Sequence, residues 1–436
     1  MDRILVEFAG EESGEAEFTW GQREWWTDML EEGSWWPLGG VVSVPPGRSL
    51  EDLAEELRWR MCRYPALRTR VRAAPDGHPM QVVSASGVIA LGVIDAGLQD
   101  PGEVAATLNR QYETAPMDFE AEWPLRTGVV CQAGRPTHIV VLISHLVIDA
   151  AGLGVLVAET DARPDSVPGG LSPLEQAAWQ ASPLGRRQNT AALRYWETLL
   201  HRLSPHQFCN PDRVAEPRYW HGEFDSSVLL PAVQAISERT GVDAATAFLA
   251  LFAVTVNQVH GVDPVVVRPM VDNRFRPGLA DAVCTTAQNT ICVLDVAGAR
   301  FDEVLERARR SVLTAFKHAY VDPWDVADVV ERVQAERGVH LDIHCFLNNR
   351  LRPGPLGGRA EADPRGAVEG SSFRWVCYLD KLPLKGLIAQ LDHIPGGVRV
   401  TVRIDTAAVD PADAEALAWR LEANALAEAG KYVDDH

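Results

Sequence analysis

IVVLISHLVIDAAGLGVLV, residues 139–157, changes character part-way along. It opens on β-branched residues that favour an extended strand and closes on an Ala/Gly/Leu run suited to a helix. Between the two lie His145 and, four residues later, Asp149. The window is nearly long enough to span a bilayer, but an aspartate near the centre of one costs about 3 kcal/mol, so a strand leading into a helix that starts at Asp149 is the better reading. Where a strand ends in an α/β fold, side chains leave the core and face a cleft. A neutral imidazole placed there can take a proton from an attacking amine or hydroxyl near neutral pH. The same letters also describe a satisfied core histidine beside a helix-capping aspartate. Ser144 and His145 are strand neighbours and point to opposite faces, which argues against a Ser-His dyad between them.

Upstream, THIVVLIS pairs with LRTGVVCQ through the turn residues AGRP, and helices are expected over 50–64, closed by Pro65, and over 102–115. Downstream, DARPDSVPGG reads as linker by its Pro and Gly content. A polar helical stretch follows, and then a second half in which strands and helices alternate again, among them the expected strand VHLDIHCFL. Residues 348–372 form a loose stretch too long for a simple turn. The expected organisation is therefore α/β in two lobes: 1–165 with the His145 segment, a linker at 166–188, and 189–436.

The bulk numbers fit a globular protein. The chain has 436 residues, 46% hydrophobic and 23% charged, and a formal net charge of -19 that argues against general affinity for nucleic acid. RWRMCRYPALRTRVR, with Arg58, Arg60, Arg63, Arg68, Arg70 and Arg72, is one candidate for a local basic patch that could meet an anion, with an ordinary solvated face as the plainer reading. Seven scattered cysteines without a C-x-x-C give no disulfide framework and no zinc site, and suit a reducing cytoplasm. The acidic N-terminus lacks a signal-peptide layout. No P-loop, dinucleotide fingerprint, H-E-x-x-H or G-x-S-x-G elbow occurs, so nucleotide, metal and serine-hydrolase chemistries lose their usual support. Trp25, Trp26, Trp35 and Trp36 read as packing.

Longer segments carry a resemblance. Asp118-Phe119, Pro124-Leu125-Arg126, two strands and then S-H-L-V-I-D-A resemble the central segment of nonribosomal peptide synthetase condensation domains, in the chloramphenicol-acetyltransferase-like superfamily, where the motif is H-H-x-x-x-D-G. FTWGQREWW (18–26) is similar to the family's opening motif and YPALRTRVR (64–72) to the next helix end and strand. The segment at 271–296, with Asn273-Arg274 and Asn289, and KHAYVDPWDVADVVERV agree in order with later family segments. The resemblance implies two chloramphenicol-acetyltransferase-like lobes in a V-shaped pseudo-dimer with a central tunnel. It implies an acyltransferase of secondary-metabolite biosynthesis, free-standing because no adenylation or carrier motif is fused to it, that joins an acyl thioester to an amine or alcohol. The thioester would arrive on the phosphopantetheine arm of an acyl or peptidyl carrier protein, with no intrinsic cofactor, metal or membrane.

By resemblance, His145 is the catalytic histidine and Asp149 the motif aspartate, with Arg274 its expected ion-pair partner. Trp20 and Asn289 are tunnel candidates. Ser144 stands where the family has its first histidine, and Ala150 where it has glycine, with Gly152 two residues on. Those departures keep two alternatives open: a degenerate condensation-like domain that recruits a partner enzyme to a carrier-bound intermediate, and an acyl-CoA-dependent O-acyltransferase.

Overall fold

In the computed structural model, which describes residues 1–208, 215–351, 369–382 and 386–430, the 139–157 stretch is divided between a strand ending at Ser144 and a helix beginning at Ala150. The chain forms two compact units. The first is Met1–Arg187 together with Asp272–Ala287; the second is Gln188–Val271 together with Gln288–His436.

The first unit contains strands β1 (Asp2–Ala9), β2 (Gly14–Glu17), β3 (Pro37–Ser43), β4 (Thr69–Ala73), β5 (Pro79–Val83), β6 (Ser86–Asp95), β7 (Leu125–Gln132) and β8 (Arg135–Ser144). Its helices are α1 (Trp20–Glu32), α2 (Leu50–Arg63), α3 (Pro101–Thr114), α4 (Ala150–Ala162) and α5 (Pro173–Ala181). One sheet runs β1-β6-β7-β8-β3, with β6 and β7 parallel and the other pairs antiparallel. A smaller sheet runs β2-β5-β4. Local chemistry sets the helix ends. Ser49 and Asp52 form a capping box at the start of α2, Arg60 and Arg63 lie in its last turn, and Leu53, Leu57 and Met61 bury one face at helical spacing. Thr19 and Gln22 cap α1 in the same reciprocal way. In the β3–β8 pair, Pro37 lies opposite Ser144, so the chain just before β3 passes the end of β8.

Residues 166–188, expected as a linker, contain α5: Pro173 stands at its first helical position, behind a Ser172–Glu175 capping box, so a proline that reads as loop is a helix start. The arginine patch is paired within the first unit, with Arg58 and Arg72 in exposed ion pairs on its surface. Arg60 pairs with Glu56, Arg63 with Glu159 and Arg72 with Glu15; Arg68 donates to backbone carbonyls, and the Arg70 guanidinium lies 3.7 Å over the ring of Trp123.

The boundary between the units falls inside α6 (Pro183–Leu200), between Arg187 and Gln188 and so beside the expected start of the second lobe at 189; residues 166–187 lie in the first unit, and 272–287 return to it from the middle of the second half. The second unit contains β9 (Tyr219–Ser226), α7 (Leu229–Thr240), α8 (Ala244–His260), β10 (Val265–Val271), β11 (Gln288–Asn289), β12 (Cys292–Leu294), α9 (Phe301–Lys317), α10 (Pro323–Arg337), β13 (Cys345–Asn349), β14 (Ser371–Leu379), β15 (Leu387–Ile394), β16 (Gly397–Asp405) and α11 (Pro411–Gly430). Its sheet runs β11-β10-β13-β15-β16-β9-β14, with β12 also on β10 and a parallel trio β10, β13 and β15. Phe224, Phe248, Phe252, Val400 and Leu417 are sealed in its core, and α8 is apolar on nearly every side because it is buried there. The strand expected at 339–347 begins only at Cys345, because the Asp342 carboxylate accepts the Phe208 and His344 N–H groups and turns the backbone first. Most of the loose stretch at 348–372 lies outside the described residues. Among the described residues no single helix is long and apolar enough to cross a membrane.

Candidate active site

Strand β8 delivers Ser144 and His145 to a tight turn, closed by the Val147 N–H donating to the Ser144 carbonyl at 3.1 Å. Two further backbone bonds hold the turn: the Ser144 N–H donates to Pro124 (2.8 Å) and the His145 N–H to the Trp36 carbonyl (3.1 Å). Ser144 is fully buried, and its hydroxyl donates to the Trp35 carbonyl (3.0 Å) and accepts the Leu146 N–H (3.2 Å). It stabilises the turn and has no contact with the imidazole that would make it a nucleophile.

His145 itself is half-buried, between buried Ser144 and Leu146. Its ring lies against two indoles, 5.3 Å from Trp25 at 40° and 6.4 Å from Trp36 at 66°. Nδ1 is buried without a hydrogen-bond partner. Burial pushes the imidazole pKa below its ordinary value, against weaker upward pulls from its own backbone and from Asp149. The ring is therefore neutral at pH 7 and able to accept a proton.

Asp149 has a different character. It is buried and caps α4: Oδ1 accepts the Gly152 N–H (2.7 Å) and Arg274 Nη2 (2.6 Å), while Oδ2 accepts the Thr286 N–H (2.8 Å), the Thr286 hydroxyl (3.0 Å) and the Ala287 N–H (3.2 Å). Burial alone would raise its pKa, but Arg274 and the N–H groups of Gly152 and Thr286 hold it below the usual carboxylate value. Arg274 in turn donates to the carbonyls of Leu279 (3.1 Å), Ala282 and Cys284 (3.1 Å). Asn273 beside it adopts a left-handed φ of 59° and donates to the Thr286 carbonyl, at 2.9 Å. This set ties the 272–287 segment to the start of α4 and leaves Asp149 no free acceptor capacity for a substrate.

Ala150 is exposed at the first position of α4 and has an ordinary negative φ, so the backbone there does not demand glycine. The demand falls on Gly152, where a Cβ would stand 2.9 Å from the Cys284 carbonyl and 3.0 Å from Arg274 Nη2. Trp20 is buried in the first unit, edge-on to Trp179 at 6.0 Å, with its N–H donating to Gln180. Asn289 is buried in the second unit on β11, opposite Met270. The structure brings His145, Asp149 and Arg274 into one neighbourhood and adds Trp25 and Trp36, which composition alone presents as packing. Trp26 and Trp35 are packing: the first lies edge-on to Phe18 and Phe119, and the second is buried under the Arg126 guanidinium. Among the described residues no group of His, Cys, Asp and Glu is arranged to hold a metal.

Comparison with known proteins identifies the fold around this turn. A family model described as the condensation domain matches residues 12–349. The chain belongs to the condensation-domain family. A linear gramicidin synthase polypeptide of Brevibacillus parabrevis is 24% identical over 379 residues, 81% of this condensation domain and 7% of that polypeptide, so the chain spans a small part of the synthase it matches. Two solved structures share the fold. One is the condensation domain that mediates chain release from the enacyloxin polyketide synthase, with TM-score 0.69 and 18% identity, covering 96% of this chain and 84% of that one. The other is the X-domain seen in complex with OxyB from teicoplanin biosynthesis, with TM-score 0.68 and 16% identity, covering 98% and 96%. In this condensation domain the motif positions read Ser144, His145, Asp149 and Ala150, so the departures from the usual motif fall on a turn hydroxyl and an exposed helix start.

Proposed function

We propose that this condensation domain is an acyltransferase that joins a carrier-bound acyl thioester to an amine, with His145 as the proton acceptor. The observation that carries the reading is the contrast within one turn. His145 is half-buried and neutral, with Nδ1 in the protein and its ring beside two indoles, whereas every polar neighbour in the motif is engaged by the fold. The amine nitrogen attacks the thioester carbonyl and forms the new C–N bond. Nε2 of His145 takes the proton that the nitrogen sheds and returns it to sulfur as the C–S bond breaks, leaving an amide and a free phosphopantetheine thiol. A positioned base contributes about 10²–10⁴ in rate. No activated nucleophile stands beside His145 among the described residues, which favours direct attack over a covalent enzyme intermediate.

A second reading is a carrier-recognising domain that recruits another enzyme. The Ser144 and Ala150 departures favour it, as does the likeness to an X-domain found in complex with OxyB. The test is to mix the purified protein with acyl-loaded carrier protein and an amine, and to follow amide and free carrier thiol by mass spectrometry. Protein-dependent amide formation supports acyl transfer. Equal turnover with free acyl-CoA and an alcohol would move the assignment to an O-acyltransferase. No transfer with any loaded carrier, together with a stable complex between the carrier-bound protein and a second enzyme, would establish the recruiting role.

A further inference from the structure

The imidazole of His145 lies against a pair of adjacent indoles that the motif does not include. Trp25 and Trp36 also touch each other, with ring centroids 5.8 Å apart, so the three rings form a closed contact set. Each indole is anchored at its own nitrogen. Trp25 is buried on α1, and its Nε1–H donates to the Ala287 carbonyl at 3.1 Å. The N–H of that same Ala287 donates to Asp149 Oδ2 at 3.2 Å. A continuous path thus runs from the Asp149 carboxylate through one peptide residue and one indole to the imidazole. Trp36 is anchored differently: its Nε1–H donates to the Glu32 carboxylate, its N–H to the Ser34 hydroxyl (3.3 Å), and its carbonyl accepts the His145 N–H. It adopts a left-handed φ of 43°, which a bulky side chain keeps only where its surroundings over-determine it. Glycine at 21, one turn before Trp25, lets α1 lie directly on the Thr285 carbonyl, and so sets how closely Trp25 approaches.

We propose that Trp25 and Trp36 are positioning residues for His145: an indole wall, tied through Ala287 to the Asp149 cradle, that fixes the plane of the imidazole and keeps water off its buried side. The proposal rests on His145 being the proton acceptor only for its effect on rate. The wall itself is a statement about the ring. It gives Asp149 a route of influence without chemistry of its own, since the carboxylate holds Ala287, Ala287 holds Trp25, and Trp25 meets the ring. Asp149, paired with Arg274, is the charged group that acts on the imidazole, and Glu32 is held by Trp36. Removing Trp25 therefore exchanges an apolar neighbour for water without exposing a new charge, whereas removing Trp36 also takes the indole N–H from Glu32; burial is the dominant cause of the lowered imidazole pKa.

The test is an NMR titration of the side-chain nitrogens of ¹⁵N-histidine-labelled protein, with no donor or acceptor present. It would compare wild type, Trp25→Phe, Trp25→Leu and Trp36→Leu, with the His145 signals assigned from their loss in His145→Gln. In folded Trp25→Leu and Trp36→Leu the His145 midpoint moves up towards the ordinary histidine value; in Trp25→Phe, which keeps a ring but loses the Ala287 hydrogen bond, it moves less. In acyl transfer the Leu variants lose about 10-fold or more in kcat with KM for the carrier nearly unchanged, as expected for a misplaced base. Folded Leu variants whose His145 titrates as in wild type would overturn the proposal. Should Trp25→Leu fail to fold, half-buried Trp36 supplies the decisive comparison, with Trp36→Leu set against its parent in a Glu32→Gln background so that no carboxylate is freed. If wild type shows no transfer, the acyltransfer reading fails while the titration still decides whether the wall exists.

Discussion

His145 and Asp149 stand four residues apart on one turn and teach opposite lessons. Asp149 is buried, accepts five hydrogen bonds, pairs with Arg274 at 2.6 Å and has no capacity left. His145 is half-buried, and its ring packs tilted against Trp25 and edge-on with Trp36. A fold that surrounds one polar group completely and walls another without bonding it separates the residue that builds the site from the residue that acts in it. In that light the departures at Ser144 and Ala150 lie on the structural side, since one is a turn hydroxyl and the other an exposed helix start.

Substitutions at the structural positions can break that separation, and they should act on stability. Asp149→Ala leaves Arg274 buried and unpaired and should cost about 3–5 kcal/mol in chemical denaturation, with the main loss of activity following the folded fraction and a smaller loss in the folded protein through Ala287 and Trp25. The carboxyl is held below its unfolded value, so its contribution is complete above the ordinary aspartate range and lost as pH falls through the lowered folded value; the acid-unfolding transition of wild type should therefore be steeper in that region than that of Asp149→Asn. Gly152→Ala pushes a methyl group against the Cys284 carbonyl and Arg274 and should cost about 1–3 kcal/mol. Ser144→Ala removes one donor and one acceptor from the turn and should cost about 1 kcal/mol while leaving kcat close to wild type. A large loss of kcat in stable Ser144→Ala would move Ser144 to the chemical side.

Much of this was legible in the residues. The switch from β-branched letters to Ala, Gly and Leu at 139–157 marks the strand, the turn and the helix, because each element has its own local preference. The distant pairing of Asp149 with Arg274 came from resemblance, since no local rule links residues 125 positions apart. Three features could not be read. The helix within 166–188 was hidden because Pro173 starts a helix as readily as it ends one. Residues 272–287 join the first unit through contacts of Arg274, Thr286 and Ala287 with Asp149, which have no periodicity to reveal them. Trp25 and Trp36 meet His145 only because α1, the left-handed residue before β3 and the end of β8 converge in space. A tryptophan pair in sequence looks the same whether it packs a core or walls a base.

The central claim is that His145 acts while its motif neighbours hold. The most direct measurement is the turnover of folded His145→Ala with acyl-loaded carrier and amine, alongside its unfolding free energy. The account predicts that kcat falls by about 10²–10⁴ while stability stays close to that of wild type, and that wild-type activity declines as pH drops through the lowered histidine value and the ring gains its proton. Undiminished transfer by the folded variant would contradict it.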